Sequence, residues 1–205
     1  YDFATAMAKI MTFMSFDMSS FYLDIGKDIL YCDAQNSVRR RQMQSVIYEA
    51  TSTLLRLLTP VIPFTMEEVH KYMPDYNGKS AQLLDFPVKS NVYSSEVLEG
   101  FKKFLEVRDA VNKKLEEARN AGIIGSSQEA LVVIPVSYKE ILGENEADVA
   151  KLLIVSKVEF ADKKEVEAHH VEAIKCPRCW NYVDKLYKVD EETEVCERCL
   201  HVLGK

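Results

Sequence analysis

The chain has 205 residues, 47% hydrophobic and 28% charged, the balance of an ordinary globular protein rather than a disordered or membrane-embedded one. No run approaches the roughly 20 uninterrupted apolar residues that span a bilayer, and no basic region, apolar core and small-residue cleavage site opens the sequence, so a reducing, cytoplasmic setting with no membrane partner is expected. A net charge of −6 excludes indiscriminate nucleic-acid binding. The charge is uneven, however: residues 96–172 hold 11 Lys+Arg against 16 Asp+Glu, whereas residues 1–95 and 173–205 are near balance at 9 against 10 and 6 against 6. Either end can meet a polyanion where its basic residues share a face.

Residues 2–19 place Phe3, Met7, Ile10, Met11, Met14 and Met18 at helical spacing, which predicts an amphipathic helix with one stripe turned to a core. The chain opens on Tyr1 already inside this pattern, as a segment of a longer protein would. Ser19 or Ser20 is placed to cap a second helix, with Tyr22, Ile25 and Ile29 on one face and Asp24, Lys27 and Asp28 polar. Methionine here reads as core filler. Asn36 and Ser37 are cap candidates for a third helix, in which Met43, Val46, Ile47, Ala50, Leu54, Leu57 and Leu58 recur mostly at periods of three and four until Pro60 stops it. A corner at Pro60 and Pro63 leads into a short helix, with Thr65 and Glu68 spaced as a capping box and Val69 and Met73 apolar. Residues 1–95 are thus expected to form a helical bundle.

Pro74 to Ser95 holds Pro, Asn, Gly and Ser without a period and reads as a long connection lying on the bundle surface. Helical pattern returns over Glu96 to Asn120, where Val97, Phe101, Phe104, Val111, Leu115 and Ala118 form a stripe interrupted by Arg108, and Gly122 and Gly125 close it. Residues 129–136 and 152–160 are short, β-branched and apolar, with a helical segment of about a dozen residues between them. Ala161 to Glu172, including His169 and His170, is charged and aperiodic and reads as a linker. The expected fold is mainly α: a bundle over 1–95, a long helix with a small α/β subdomain and linker over 96–172, and a metal module over 173–205.

That module rests on Cys176, Cys179, Cys196 and Cys199, two Cys-x2-Cys pairs with 16 residues between them, a zinc-ribbon-like spacing. Each pair can fold as a tight knuckle aiming two sulfurs at one point, and two knuckles supply the tetrahedral four-thiolate site that zinc prefers. A single structural zinc would contribute most of the folding free energy of so short a segment, on the order of 10–16 kcal/mol in zinc-finger peptides. A disulfide pair is disfavoured by the reducing setting, and a redox pair by duplication of the motif without a thioredoxin-like pattern. An iron–sulfur site remains as the alternative with the same ligands. Cys32, beside Leu30 and Tyr31, reads as a small buried hydrophobe. With four cysteines present, His169, His170 and His201 are not needed as ligands.

Arg39, Arg40 and Arg41 fall in the first turn of the third helix, where the positive end of the helix dipole disfavours cations. Asp33 is one candidate for the missing negative charge, a phosphate another, and a solvated surface is the plain alternative. Consecutive side chains diverge around a helix, so at most two of the three arginines face one ligand. In the cysteine segment, Arg178 and Trp180 flank Cys179, with Asn181, Tyr182 and Arg198 close to a knuckle. A tryptophan there is either the module's apolar core or a platform for an unpaired base, stacking being worth about 1–3 kcal/mol per base.

These residues carry a family resemblance. Phe16-Asp17-Met18-Ser19-Ser20-Phe21-Tyr22-Leu23-Asp24, followed by Lys27-Asp28 and Leu30-Tyr31, resembles the anticodon-binding bundle of the isoleucine, valine and leucine tRNA synthetases. So do Arg40 with Gln44, and the run Leu54-Leu55-Arg56-Leu57-Leu58-Thr59-Pro60 leading to Pro63-Phe64-Thr65 and Glu67-Glu68. Arg108, Val111, Leu115, Glu116 and Arg119, then Ile124-Gly125-Ser126-Ser127 and Glu129-Ala130, resemble the segment that follows. Cys176-Pro177-Arg178-Cys179-Trp180 with Cys196-Glu197-Arg198-Cys199 is similar to the terminal zinc module of bacterial-type isoleucyl-tRNA synthetases, which their relatives generally lack. A similar finger occurs in formamidopyrimidine-DNA glycosylases. His70 stands where Trp is common in the family, and Asn181 where His is frequent.

The resemblance covers nearly the whole chain. It implies an enzyme that activates isoleucine with ATP and esterifies it to its tRNA, a monomer in the cytoplasm, with this part binding the anticodon stem and loop and holding one structural zinc. Arg39, Arg40, Arg41, Gln44, Arg178, Trp180 and Arg198 are the expected tRNA contacts. The signatures His-Ile-Gly-His and Lys-Met-Ser-Lys-Ser are absent from this sequence, as is any candidate editing domain. ATP would therefore act outside these residues, no catalytic residue is expected among them, and the chain alone is expected to be inactive. One rival reading makes the zinc module a structural clamp, with tRNA contacts only from the helical bundle. Another is a DNA-repair finger, which the long helical region upstream disfavours.

Overall fold

The computed structural model describes residues 2–89 and 94–204. Two compact units result, one made of Tyr1–Ala34 with Tyr93–Lys205 and the other of Gln35–Val92. These units cut the chain differently from the expected boundaries after residues 95 and 172, because the first helical stretch packs on elements far along the sequence.

The first unit opens on one continuous rod: α1 (Phe3–Thr12), a π-wound segment (Phe13–Leu23) and α2 (Asp24–Cys32). Asp2 caps it, accepting from the Thr5 amide at 3.1 Å. The break expected at Ser19 or Ser20 is absent. Instead, the Ser20 hydroxyl donates to the Ser15 carbonyl five residues back at 2.8 Å, which matches the wider π-winding. The stripe expected to face a core does not: Phe3 and Met11 of α1 are 65% and 61% exposed, and nothing from Phe3 to Leu23 is fully buried. Packing is made later, by Phe21, whose ring lies 5.6 Å from Phe101 and 6.0 Å from Phe104. Arg108, the interruption in the later stripe, sits 4.7 Å from the centre of the Phe21 ring and donates to the Ser20 carbonyl at 3.3 Å.

Helix α5 (Ser95–Asn120) is capped by the Ser94 hydroxyl, which accepts from the Val97 amide at 3.2 Å. Phe104, Val107, Val111, Leu115 and Ala118 are its buried side, at the three-and-four spacing of an undistorted α-helix, whereas Val97 and Phe101 in its first two turns stay exposed. Gly122 ends the helix at φ +71, the left-handed position where a side chain would be strained, its amide donating to the Arg119 carbonyl at 3.0 Å.

Beyond it come β1 (Ala130–Pro135), α6 (Lys139–Leu142), α7 (Glu146–Leu153), β2 (Lys157–Ala161) and β3 (Glu167–His170), with strand order β2-β1-β3. The first two strands are parallel, Val132 opposite Val158; β3 is antiparallel to β1, Ala168 opposite Val132. As the central strand, β1 is buried on both faces, which explains its continuous apolar run. The second strand starts later than expected because Leu152 and Leu153 finish α7, and Gly143 at φ +87 splits the helical segment in two. The expected linker supplies β3, a four-residue edge strand that is nowhere fully buried and so shows no apolar alternation in sequence. Val111 and Leu115 of α5, Val149 and Leu153 of α7, and Val132, Ile134 and Val158 of the sheet share one core.

The second unit holds α3 (Val38–Leu58) and α4 (Pro63–Lys71). Ser37 is the residue preceding α3, and Met43, Ser52, Leu55 and Leu58 are its buried side, with Val46 left exposed. Thr59 ends the helix just before Pro60, its hydroxyl donating to the Leu55 carbonyl at 2.7 Å. The Thr65–Glu68 capping box does not form. Pro63 takes the first helical position, where a missing N–H costs nothing, so Thr65 falls inside the first turn. Glu67 accepts from the Ser80 hydroxyl instead, and Glu68 pairs with Lys71 at 3.0 Å. His70 is buried with its ring edge-on to Tyr76 at 5.2 Å. The connection after Pro74 packs on α3 and α4 through a turn at Ala81–Leu83 with Ala81 buried, as expected; its residues 90–93 lie outside the described residues.

Leu115 is 2% exposed at the centre of the first unit's core, so Leu115→Ala should lower the unfolding free energy by about 2–5 kcal/mol, measured from denaturant midpoints. Phe16, 68% exposed, should tolerate Phe16→Ser within about 0.5 kcal/mol in the same assay.

Candidate metal centre and nucleic-acid contacts

The cysteine segment folds as two short hairpins and a helical turn: β4 (Ile174–Lys175) with β5 (Tyr182–Val183), β6 (Tyr187–Lys188) with β7 (Glu194–Val195), then α8 (Glu197–Val202). In the first knuckle the Cys176 amide donates to the Asn181 carbonyl at 2.9 Å, and the Trp180 amide to the Cys176 carbonyl at 2.8 Å. Closing so tight a turn puts Trp180 at φ +64, in the left-handed region that disfavours a side chain. The second knuckle runs directly into α8, so Cys199 sits in its first turn.

All four sulfurs are buried and lie within 4.8 Å of one another. The Cys179 and Cys196 sulfurs are 3.7 Å apart, close to the edge of about 3.8 Å that a tetrahedron with zinc–sulfur bonds of 2.3 Å requires. The residues therefore fit one structural zinc. Val195 with Val183, Leu186, Val189 and Leu200 forms a small apolar shell, which Cys32 of α2 completes. Burial pushes the Cys32, Cys179 and Cys196 thiols up. Burial acts the same way on Cys176, but backbone N–H groups of Cys179, Cys196 and Arg178 directed at its sulfur outweigh it and bring the thiol down to about 7. Zinc takes its cysteine ligands as thiolates, so binding here displaces thiol protons to solvent.

The module is fastened to the rest of its unit by polar contacts. Arg198 holds Asp28 of α2 through both guanidinium nitrogens, at 2.5 and 2.6 Å, and lies 3.8 Å from Asp33. Arg178 donates to the Cys32 carbonyl at 2.9 Å and to the Cys199 sulfur at 3.3 Å. Asn181, in the position where the family often has His, donates to Asp28 at 3.3 Å. Tyr182 donates its amide to the Ser156 hydroxyl at 2.9 Å, and that hydroxyl donates to the Gln128 carbonyl at 2.5 Å, tying β5 to the α/β region. The hydrogen bond to Asp28 raises Arg198, and that to Cys199 raises Arg178.

Of the residues expected to meet RNA, Arg178 and Arg198 thus face α2. Trp180 does not serve as the module's core; its ring is 61% exposed, with the Lys175 ammonium 5.5 Å from the ring centre. Beside it a cleft of about 550 Å³ is lined by Ile25, Lys27 and Tyr31 of α2 and by Lys151 and Ile154 at the end of α7. Arg39, Arg40, Arg41 and Gln44 belong to the other compact unit, in the first two turns of α3. Arg39 and Arg41 are exposed there, Arg40 half-buried, and Arg41 donates to Gln44 at 3.4 Å. Asp33, a candidate partner for these three arginines, has Arg198 as its neighbour.

Sequence reasoning missed Asp28 as a site residue, although a signal existed. Asp33 caps the C-terminal end of α2, where the helix dipole disfavours a carboxylate and favours a nearby cation, and Asp28 lies just before the last turn of the same helix.

Two family descriptions match. "Anticodon-binding domain of tRNA ligase" covers residues 1–134, and "Zinc finger found in FPG and IleRS" covers residues 173–202. The chain belongs to the anticodon-binding family of tRNA ligases, with a zinc finger of this type after it. Among curated proteins it is similar to the isoleucine–tRNA ligases of Staphylococcus epidermidis, at 37% identity over 99% of the chain, and of Lactobacillus acidophilus, at 38% over 99%. That of Staphylococcus carnosus is 38% identical over 100% of the chain. The chain spans 23–24% of the length of these relatives.

The metal centre makes a direct prediction. Zinc-loaded protein should contain one zinc per chain by elemental analysis, and Cys196→Ser, which removes a buried ligand, should reduce that content toward zero while leaving the helical signal in circular dichroism largely intact.

Proposed function

We propose that this chain is the tRNA-binding portion of an isoleucine–tRNA ligase and that it holds the anticodon stem and loop of isoleucine-accepting tRNA. Activation of isoleucine by ATP and its transfer to tRNA take place elsewhere in such an enzyme, and the cytoplasm is the compartment that goes with the role. Among the described residues no helix is long and apolar enough to cross a membrane, which is compatible with that setting.

The observation that carries the nucleic-acid part of the reading is Trp180. The closure of the first knuckle holds this residue in the left-handed region. Here it turns the chain's sole tryptophan outward beside a cleft of a size that accepts a small ligand. The ring is assigned as a platform for an unpaired base of the loop. Arg39, Arg41 and Gln44, with Arg40 beside them, are assigned to phosphates, since an N-terminal helix turn carrying cations gains most from an anion.

A second reading holds for two residues. Arg178 and Arg198 are engaged with α2, which favours the structural clamp for them rather than direct contact with RNA.

Trp180→Gly separates the roles, because glycine adopts φ +64 without strain. The variant should keep its zinc and weaken binding of isoleucine-accepting tRNA by an amount in the range of one stacked base, about 1–3 kcal/mol, in a fluorescence-anisotropy titration. Specificity is tested with a valine-accepting tRNA beside it: equal affinity for both tRNAs by folded, zinc-loaded protein would refute the isoleucine assignment.

A further inference from the structure

We propose that zinc binding and the seating of the finger on α2 are one linked equilibrium, with Asp28 as the positioning residue and Arg178 and Arg198 as the bridges. The linkage does not depend on the RNA reading. Four thiolates around one divalent zinc carry a formal charge of −2, and a buried charge of that size needs compensation from outside the ligand set. Two guanidiniums stand there. Arg178 donates to the Cys199 sulfur at 3.3 Å, and Arg198 stands in the second knuckle between the ligands Cys196 and Cys199.

Each of these arginines also has a partner on α2. Arg178 reaches the Cys32 carbonyl at 2.9 Å, one of the last carbonyls of a helix, which lack intrahelical donors. Arg198 grips Asp28 in the two-pronged geometry that fixes orientation as well as charge. Asn181, in the first knuckle, donates to the same carboxylate at 3.3 Å, so both knuckles converge on Asp28. Cys32 closes the arrangement, packed in the cysteine cluster with its sulfur 3.9 Å from the Arg178 carbonyl. Removing zinc frees the four sulfurs from a common centre, and with them the two knuckles that carry Arg178 and Asn181, and Arg198, to α2. Removing the Asp28 carboxylate releases Asn181 and Arg198, one from each knuckle, from their common anchor on α2. A coupling of this kind acts equally in both directions.

The experiment uses the full chain. Zinc affinity is measured by competition with a chromophoric chelator for wild type, Asp28→Asn and Arg198→Lys. Asp28→Asn keeps size and still accepts from Asn181 but offers no charge to Arg198; it should bind zinc about tenfold more weakly, the lower end of the effect of outer-shell partners on metal affinity. Arg198→Lys keeps the charge but not the two-pronged contact and should fall between the two; it carries the comparison if Asp28→Asn retains no zinc on purification. In the reverse direction, hydrogen exchange at the last amides of α2 should speed up when wild type is stripped of zinc, and do so less in Asp28→Asn. Equal zinc affinity in all three proteins overturns the proposal, as does exchange in α2 that ignores zinc. A variant that melts earlier without any change in zinc affinity overturns it too, since that marks a stability contact and nothing more.

Discussion

Four sulfurs gathered within 4.8 Å of one another in a buried site are held there by a cation among them, and the excess negative charge they bring must be met from outside. This requirement organises the C-terminal module of the molecule. The segment has little apolar surface of its own to bury: its shell is five aliphatic side chains and a cysteine lent by α2. Metal ligation supplies the fold that packing does not, and Arg178, which donates to the Cys199 sulfur, donates from the same nitrogen to the Cys32 carbonyl of α2. Charge compensation and docking are therefore achieved by one set of atoms, and the finger's position in its unit follows from the chemistry of the metal site.

The direction in which side chains point follows from that arrangement. With Arg178 and Arg198 turned toward α2, the first knuckle is left to present Trp180, and the tightness of the turn that aims Cys176 and Cys179 forces the tryptophan into a left-handed backbone. A ring there is carried by a scaffold with little freedom: the Cys176–Asn181 and Trp180–Cys176 backbone bonds pin the turn, and Tyr182 is tethered through Ser156 to Gln128 in the α/β region. Rigid presentation of a flat apolar surface is what base stacking rewards, since little ordering remains for the complex to impose.

How much of this was legible in the sequence depended on the distance over which each feature is determined. The zinc ligands were legible because two Cys-x2-Cys pairs specify a metal site by local spacing alone. Helix α5 was legible for the same reason, its stripe from Phe104 to Ala118 following one period. The docking of the finger was not, because Asp28 and Arg198 are 170 residues apart and either one, read alone, is an ordinary surface charge. Strand β3 was hidden by being a half-exposed edge beside a buried partner, where one neighbour rather than an apolar pattern fixes the strand. The rod from Phe3 to Cys32 defeated the reading at Ser19 and Ser20 because a serine that caps a helix and a serine that bonds within one look the same until the backbone is known.

The two arginines carry a wider lesson about reading charge in a protein that handles RNA. A guanidinium beside a metal knuckle is equally suited to a phosphate outside and to thiolates or a carboxylate inside, and composition cannot tell which. Geometry can, through the number of good acceptors already within reach. Arg198 has both oxygens of Asp28 and the nearby Asp33, and Arg178 has a helix-terminal carbonyl and a sulfur. Taking Arg198 to a phosphate would break a two-pronged ion pair of the same kind and strand two carboxylates, and taking Arg178 there would leave a helix-terminal carbonyl without its donor. Discounting those two cations leaves the finger with acidic residues in excess of its remaining basic ones. Net charge then gives this end of the chain no attraction for a polyanion, so the proposed contact with tRNA rests on surface complementarity, and on Trp180 above all.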